Sequence, residues 1–119
     1  MPKHILILED EPLLAIFVEG CLEDLGYAFS TAQERTSAIR MSTHGSFDAA
    51  LLDVNLWGQT STDIAAILRE RGIPFLIMSG YDLEDVQKNY GEVPILSKPF
   101  DTSNLELSLA KLLGAITNP

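Results

Sequence analysis

Several groups able to hold a cation or a phosphoryl group stand where apolar runs end. Glu9 and Asp10 close Ile5–Leu8, and Asp53 closes Ala49–Leu52. Ser79 follows Phe75–Met78. Lys98 follows Ile95–Leu96 in the phrase Ser97-Lys98-Pro99-Phe100. In an open parallel sheet, the carboxyl ends of the strands line one crevice where ligands bind. Three carboxylates meeting there repel one another, and without a cation at least one takes up a proton. A hard divalent ion resolves that conflict, and oxygen-only ligands select Mg2+ over zinc or copper. One carboxylate is then available as a nucleophile, as in chemistry that passes through an aspartyl phosphate. Lys98 neutralises charge on the transferred group, and Ser79 donates a hydrogen bond to it.

These groups converge only if the elements between them form a parallel sheet. The sequence predicts five units of strand followed by helix. Strand one covers His4–Glu9, and its uniformly apolar centre indicates burial on both faces. Helix one runs from Pro12, suited to a first helical position, to Leu25, and Gly26 stops it. Leu14, Phe17, Val18, Cys21 and Leu25 form its predicted inner stripe. Strand two, Tyr27–Thr31, is mixed in polarity and reads as an edge. Thr31-Ala32-Gln33-Glu34 reads as a capping box for helix two, which ends near His44-Gly45. Strand three is Phe47–Asp53, followed by a loop over Asn55–Gln59. Thr60 to Asp63 offers a cap for helix three, which points Ile64, Ile67 and Leu68 inward and ends at Gly72.

Strand four is Pro74–Ser79. Helix four, Asp82–Tyr90, has only Leu83, Val86 and Tyr90 as apolar content and is expected to be short and mobile. Strand five is Val93–Ser97, and Pro94 within it points to the opposite edge. Helix five begins near Asp101–Ser103 with a capping box at Ser103-Asn104-Leu105-Glu106. It buries Leu105, Leu109, Leu112, Leu113 and Ile116. The alternation gives an α/β, doubly wound three-layer sandwich with a five-stranded parallel sheet in the flavodoxin-like order 2-1-3-4-5. That order puts Glu9, Asp10 and Asp53 at the switch point.

A chain of 119 residues fits one domain, here spanning 1–119. Hydrophobic residues make up 46%, which excludes a disordered chain. The formal charge of -9, from 17 acids against 8 bases, disfavours nucleic acid and anionic membranes as partners. Cys21 is the one cysteine, so no intrachain disulfide forms, and a small apolar helix residue is expected there. A reducing, cytoplasmic compartment follows. The longest apolar stretch, Leu13–Val18, is too short to span a bilayer. His4 and His44 read as surface residues, and Trp57 as loop packing or a lid edge. Tyr81 and Tyr90 read equally as half-buried aromatics or switch elements.

The blocks Ile5-Leu6-Ile7-Leu8-Glu9-Asp10-Glu11-Pro12, Leu51-Leu52-Asp53-Val54-Asn55-Leu56, Met78-Ser79-Gly80 and Ser97-Lys98-Pro99-Phe100 resemble those of bacterial response-regulator receiver domains. The resemblance covers essentially the whole chain. It implies that Asp53 is phosphorylated from a histidine of a sensor kinase or phosphotransfer protein. Asp10 would bind magnesium directly, Glu9 directly or through water, and the backbone carbonyl of Asn55 would complete the protein ligands. Ser79 would reach a phosphoryl oxygen, Lys98 would pair with the phosphate, and the bond before Pro99 is often cis. Such a domain is a signalling switch rather than an enzyme. Its downstream protein partner meets the helix 4–strand 5–helix 5 face, as a monomer or a weak dimer through that face. An end after helix five implies a stand-alone form.

Three departures from the family pattern stand out. Glu9 replaces the commoner aspartate. Ile95 stands where an aromatic residue usually sits, so no ring can swing inward there. Trp57-Gly58 replaces Pro-Gly. The stretch Pro74–Tyr81 is similar to an alphaproteobacterial subgroup with Phe-x-x-x-Ser/Thr-Gly-Tyr, which offers Tyr81 as a carrier of the signal. Two alternatives stay open at this point. One is a haloacid-dehalogenase-type phosphatase, although its second aspartate would here be Asn55. The other is an interaction module that kept the fold and lost the switch.

Overall fold

The computed structural model describes the backbone of residues 2–117 and the side chains of residues 2–114. Five parallel strands form the main sheet: β1 (His4–Leu8), β2 (Ala28–Thr31), β3 (Ala49–Asp53), β4 (Phe75–Ser79) and β5 (Ile95–Ser97). Their order in space is 2-1-3-4-5, as expected for a doubly wound sandwich. Five helices connect or follow them: α1 (Pro12–Leu25), α2 (Arg35–His44), α3 (Thr62–Glu70), α4 (Leu83–Tyr90) and α5 (Thr102–Thr117).

Alternation along the buried strands builds the core on both faces. Ile5, Ile7, Ala49, Leu51, Leu76 and Met78 pack under α1 and α5. Leu6, Leu8, Ala50, Leu52, Phe75 and Ile77 pack under α2, α3 and α4. Successive strand side chains point to opposite faces, so a run that is apolar throughout serves both layers. Among the described residues, no helix is long and apolar enough to cross a membrane.

Several local expectations are corrected. The inner face of α1 is Ala15, Val18, Cys21 and Leu22, all buried. Phe17 is 40% exposed, and Leu14 and Leu25 are only partly buried. The helix is rotated so that its smaller residues meet the sheet, and Phe17 lies 6.1 Å from the Phe100 ring. Thr31 does not cap α2. It is the last residue of β2, its hydroxyl donates to Glu19, and α2 starts after Glu34 with no side-chain cap. Strand β3 starts at Ala49 rather than Phe47, and β5 starts at Ile95. Pro94 therefore lies just outside β5, where its carbonyl accepts from the Ile77 N–H.

The residue before α3 is Ser61, without a side-chain cap bond, so the cap expected over Thr60 to Asp63 does not form. Asp63 instead takes an ion pair from Arg35. The box that opens α5 lies two residues earlier than expected. Asp101 Oδ1 accepts from the Asn104 N–H at 2.8 Å, and Asn104 Oδ1 accepts from the Asp101 N–H at 3.1 Å. Of the apolar residues on α4, Val86 and Tyr90 are buried, but Leu83 is 57% exposed. On α5, Leu105, Leu109 and Leu112 are buried and Leu113 partly so, while the side chain of Ile116 lies outside the described residues. His4 is half-buried, tilted against Phe47 at 4.8 Å and 2.8 Å from Ser30 Oγ.

The start of α1 matters most for the site. Glu11 caps it, accepting from the N–H groups of Leu13 and Leu14 at 3.2 and 2.7 Å. Pro12 occupies the first turn, where a missing donor costs nothing. At the other end Gly26 takes the left-handed conformation, φ 86°, that closes the helix. Glu11→Ala should destabilise the protein by about 1 kcal/mol. Denaturant unfolding measures it, and an unchanged midpoint would rule out the cap.

Candidate functional site

Register brings the strand ends together. Leu8 pairs with Leu52, and Asp53 pairs with Met78. Ser79 pairs with Ser97, and the Lys98 N–H donates to the Ser79 carbonyl. The residues that immediately follow β1 and β5, and those that close β3 and β4, thus share one rim. Carboxylate oxygens of Glu9, Asp10 and Asp53 lie within 4.8 Å of one another. Lys98 Nζ sits 2.8 Å from Asp53 Oδ2 and 3.2 Å from Glu9 Oε1. The bond between Lys98 and Pro99 is cis.

The members differ in exposure. Glu9 is buried, Asp53 is half-buried and Asp10 is exposed. Burial, a hydrogen bond to Asp53 and repulsion from that carboxylate push the Glu9 carboxyl up from 4.5 to about 7, against the Glu11 N–H and Lys98, which favour its charge. Below about pH 7 the acidic cluster thus carries a proton that a cation would displace. For Lys98, burial pulls the ammonium down, but Asp53 and Glu9 outweigh it and leave its pKa raised. Oxygen-only donors, one of them holding an extra proton, fit a hard divalent ion such as magnesium.

This has a consequence for stability. The folded protein holds the Glu9 proton more tightly than the unfolded chain does. The Glu9 contribution to stability is therefore lost as pH rises from about 4.5 through about 7. The total is on the order of 3 kcal/mol. Millimolar magnesium should restore most of it at the alkaline end, because an ion that replaces the proton binds only the folded form. Melting temperatures across this window, with and without magnesium, measure the effect. A flat metal-free profile would contradict a proton held on Glu9.

Ser79 is 1% exposed, and its Oγ accepts from the Tyr81 N–H at 2.9 Å. Asn55 lies in an unexpected element. The loop after β3 is a small antiparallel hairpin pairing Asn55 with Thr60 and Leu56 with Gln59. Its two turn residues, Trp57 and Gly58, both have positive φ, 49° and 79°. This matches the twist of a two-residue hairpin, and Gly58 carries its share without strain. The Asn55 side chain donates to Tyr81 Oη at 3.0 Å.

One contact was not legible in the sequence. The Trp57 N–H donates to Asp10 Oδ2 at 2.7 Å. The sequence offers Trp57 as loop packing or a lid edge, and the residue is partly buried against the core. The signal available was Gly58, whose place before Gln59 marks a tight turn. Arg35 steadies the same hairpin from α2, reaching the carbonyls of Leu56 and Thr60 at 3.5 Å each.

A doubly wound sheet with a carboxylate trio and a lysine at its switch point is the architecture of a phospho-acceptor domain. The chain belongs to the response regulator receiver domain family, whose profile matches residues 5–110. It is similar to the probable transcriptional regulatory protein TcrX of Mycobacterium tuberculosis, 32% identical over 117 residues. That match covers 94% of this chain and 50% of TcrX, so the chain spans half the length of that relative. Among solved structures it is similar to SdrG from Sphingomonas melonis Fr1, with a TM-score of 0.80 and 38% identity over 94% of this chain and 97% of that one. The receiver domain of the sensor histidine kinase PA1611 from Pseudomonas aeruginosa PAO1 has a TM-score of 0.84 at 24% identity, covering 96% and 99% of the two chains. That structure has a magnesium ion coordinated in its active-site cleft, and the likeness to it speaks to the fold. Family membership sets the haloacid-dehalogenase alternative aside.

Proposed function

We propose that this domain is a two-component signalling switch in which Asp53 accepts a phosphoryl group from a phosphohistidine. The donor is a sensor histidine kinase or a histidine phosphotransfer protein. The observation that carries this reading is Lys98 Nζ, set between Asp53 Oδ2 and Glu9 Oε1 at the switch point. A lone ammonium against two carboxylates suits a site that must later hold a phosphoryl dianion.

In the transfer, an Asp53 carboxylate oxygen forms a bond to phosphorus. The donor's P–N bond breaks, and the imidazole keeps the electron pair. Lys98 follows the negative charge from carboxylate to phosphoryl group. Ser79 Oγ uses a lone pair on the Tyr81 N–H, so its proton is available for a phosphoryl oxygen. Glu9, Asp10, Asp53 and the backbone carbonyl of Asn55 would hold magnesium, which supplies positive charge against the phosphoryl oxygens. In a two-residue hairpin the pair beside the turn exchanges the ladder bonds, so the Asn55 carbonyl is not spent there.

The role is that of a switch rather than a turnover enzyme. Phosphorylation biases a two-state equilibrium at the α4–β5–α5 face, where a downstream protein partner docks. Leu83 and Leu107, 57% and 62% exposed, offer apolar contacts on that face, to a partner or to a second copy in a weak dimer. The net charge of -9 supports protein rather than nucleic-acid or membrane partners. A single buried cysteine suits a reducing, cytoplasmic setting. Incubation with acetyl phosphate and magnesium tests the reading. Intact-mass analysis should show one added phosphoryl group, lost on chelation of the metal during labelling. Absence of any adduct would favour a module that works without phosphorylation.

A further inference from the structure

The backbone just after the phosphoryl acceptor is held by two hydroxyls that no role above uses. Ser61, fully buried before α3, donates from Oγ to the Asp53 carbonyl and lies 3.1 Å from the Val54 carbonyl. Its N–H also donates to the Val54 carbonyl, at 2.9 Å. Tyr90, 2% exposed at the end of α4, places Oη 2.9 Å from the Val54 carbonyl and 2.9 Å from Ser61 Oγ. A second anchor fixes the same residue, because Arg69 on α3 donates to the Tyr90 carbonyl at 2.6 Å. Arg69 in turn lies over the Phe75 ring, 5.4 Å from its centroid.

The proton count makes this arrangement responsive. Ser61 and Tyr90 have one hydroxyl proton each. Ser61 spends its proton on the Asp53 carbonyl. Tyr90 must then choose between the Val54 carbonyl and Ser61 Oγ. A shift of the Asp53 carbonyl frees the Ser61 proton for the Val54 carbonyl or for Tyr90 Oη, and so changes where Tyr90 points. Helix α4 is suited to follow, because only Val86 and Tyr90 among its residues are buried. An element anchored by so little apolar surface moves at low cost.

We propose that Ser61 and Tyr90 form a hydroxyl relay that positions the Asp53–Val54 backbone and couples the acceptor to α4. The proposal rests on the phospho-acceptor reading above. It gives this chain a coupling route that needs no aromatic ring at Ile95. The relay is reciprocal: whatever fixes α4 also fixes the backbone that carries Asp53.

Tyr90→Phe keeps the ring and removes the hydroxyl, and Ser61→Ala removes the other hydroxyl with little change of volume. Amide exchange of α4 is compared in the wild type and both variants, with and without magnesium and beryllium fluoride. Protection of α1 serves as the control for an intact fold, and acetyl-phosphate labelling is followed in parallel. In the wild type the mimic should slow α4 exchange about fivefold, the scale of one buried hydrogen bond. In either variant with α1 protected as in the wild type, the change should shrink below about twofold. A wild-type response in both variants would overturn the relay and leave the acceptor reading standing. A wild type that neither labels nor responds would remove the acceptor reading, and the relay with it.

Discussion

Asp53→Asn should abolish phosphoryl labelling while the fold stays intact. The amide has the same shape as the carboxylate but no anionic oxygen to attack phosphorus. Asp53 closes β3 and is half-buried, so a same-sized residue leaves the packing of Leu51 and Leu52 undisturbed. Lys98 keeps its contact with Glu9 at 3.2 Å. A second effect separates this variant from a misfolded one. Two of the influences that raise Glu9 come from Asp53, and with them gone the Glu9 carboxyl should drop toward its ordinary range. Burial, the largest influence, remains. The metal-free variant should therefore lose less stability between about pH 4.5 and 7 than the wild type. Intact-mass labelling and pH-dependent melting read both effects. Undiminished label would move the acceptor away from Asp53.

Lys98→Ala should slow labelling by roughly two orders of magnitude, the usual cost of removing one group that stabilises developing charge. Both ion pairs to the buried rim, with Glu9 and with Asp53, come from this lysine. Without it the metal-free protein should be less stable by about 2 kcal/mol, a figure discounted because the lysine side chain is 27% exposed. Magnesium affinity should change in the opposite sense. The ammonium and the metal repel each other across a few ångströms, so removing the first strengthens binding of the second. Tighter magnesium with slower transfer is a signature that general loss of structure does not produce. Calorimetric titration and labelling rates measure the pair. Weaker magnesium binding with unaltered transfer would contradict the role given to Lys98.

What the sequence made legible depended on how local the cause was. Ile5–Leu8 and Phe75–Met78 announce two-faced burial by composition alone, and the sheet order followed from reading the mixed Tyr27–Thr31 and the Pro94-containing strand as the two edges. The rim residues were legible because each directly ends or follows such a run. Details set by competition between partners were not. Thr31 has the type and spacing of a cap, but β2 extends through it and its hydroxyl goes to Glu19. Ser103 has the type of a cap too, yet Asp101 and Asn104 exchange their bonds two residues earlier. Phe17 fits the apolar period of α1, but the sheet accepts Ala15 and Leu22 more closely. The Trp57 N–H was beyond reach for a different reason: no side-chain type reveals where a backbone donor will point. The Ser61–Tyr90 contact spans 29 residues of chain and depends on where α4 docks.

Cys21 faces the interior from α1, with Sγ 3.1 Å from Thr102 Oγ1. The sulfur is the chain's only thiol, and it is hidden from reagents in the surrounding water. A maleimide fluorophore would consequently react at a cysteine introduced on the outer surface of α4 and ignore the native one. The molecule accepts a site-specific optical reporter without prior removal of its own cysteine.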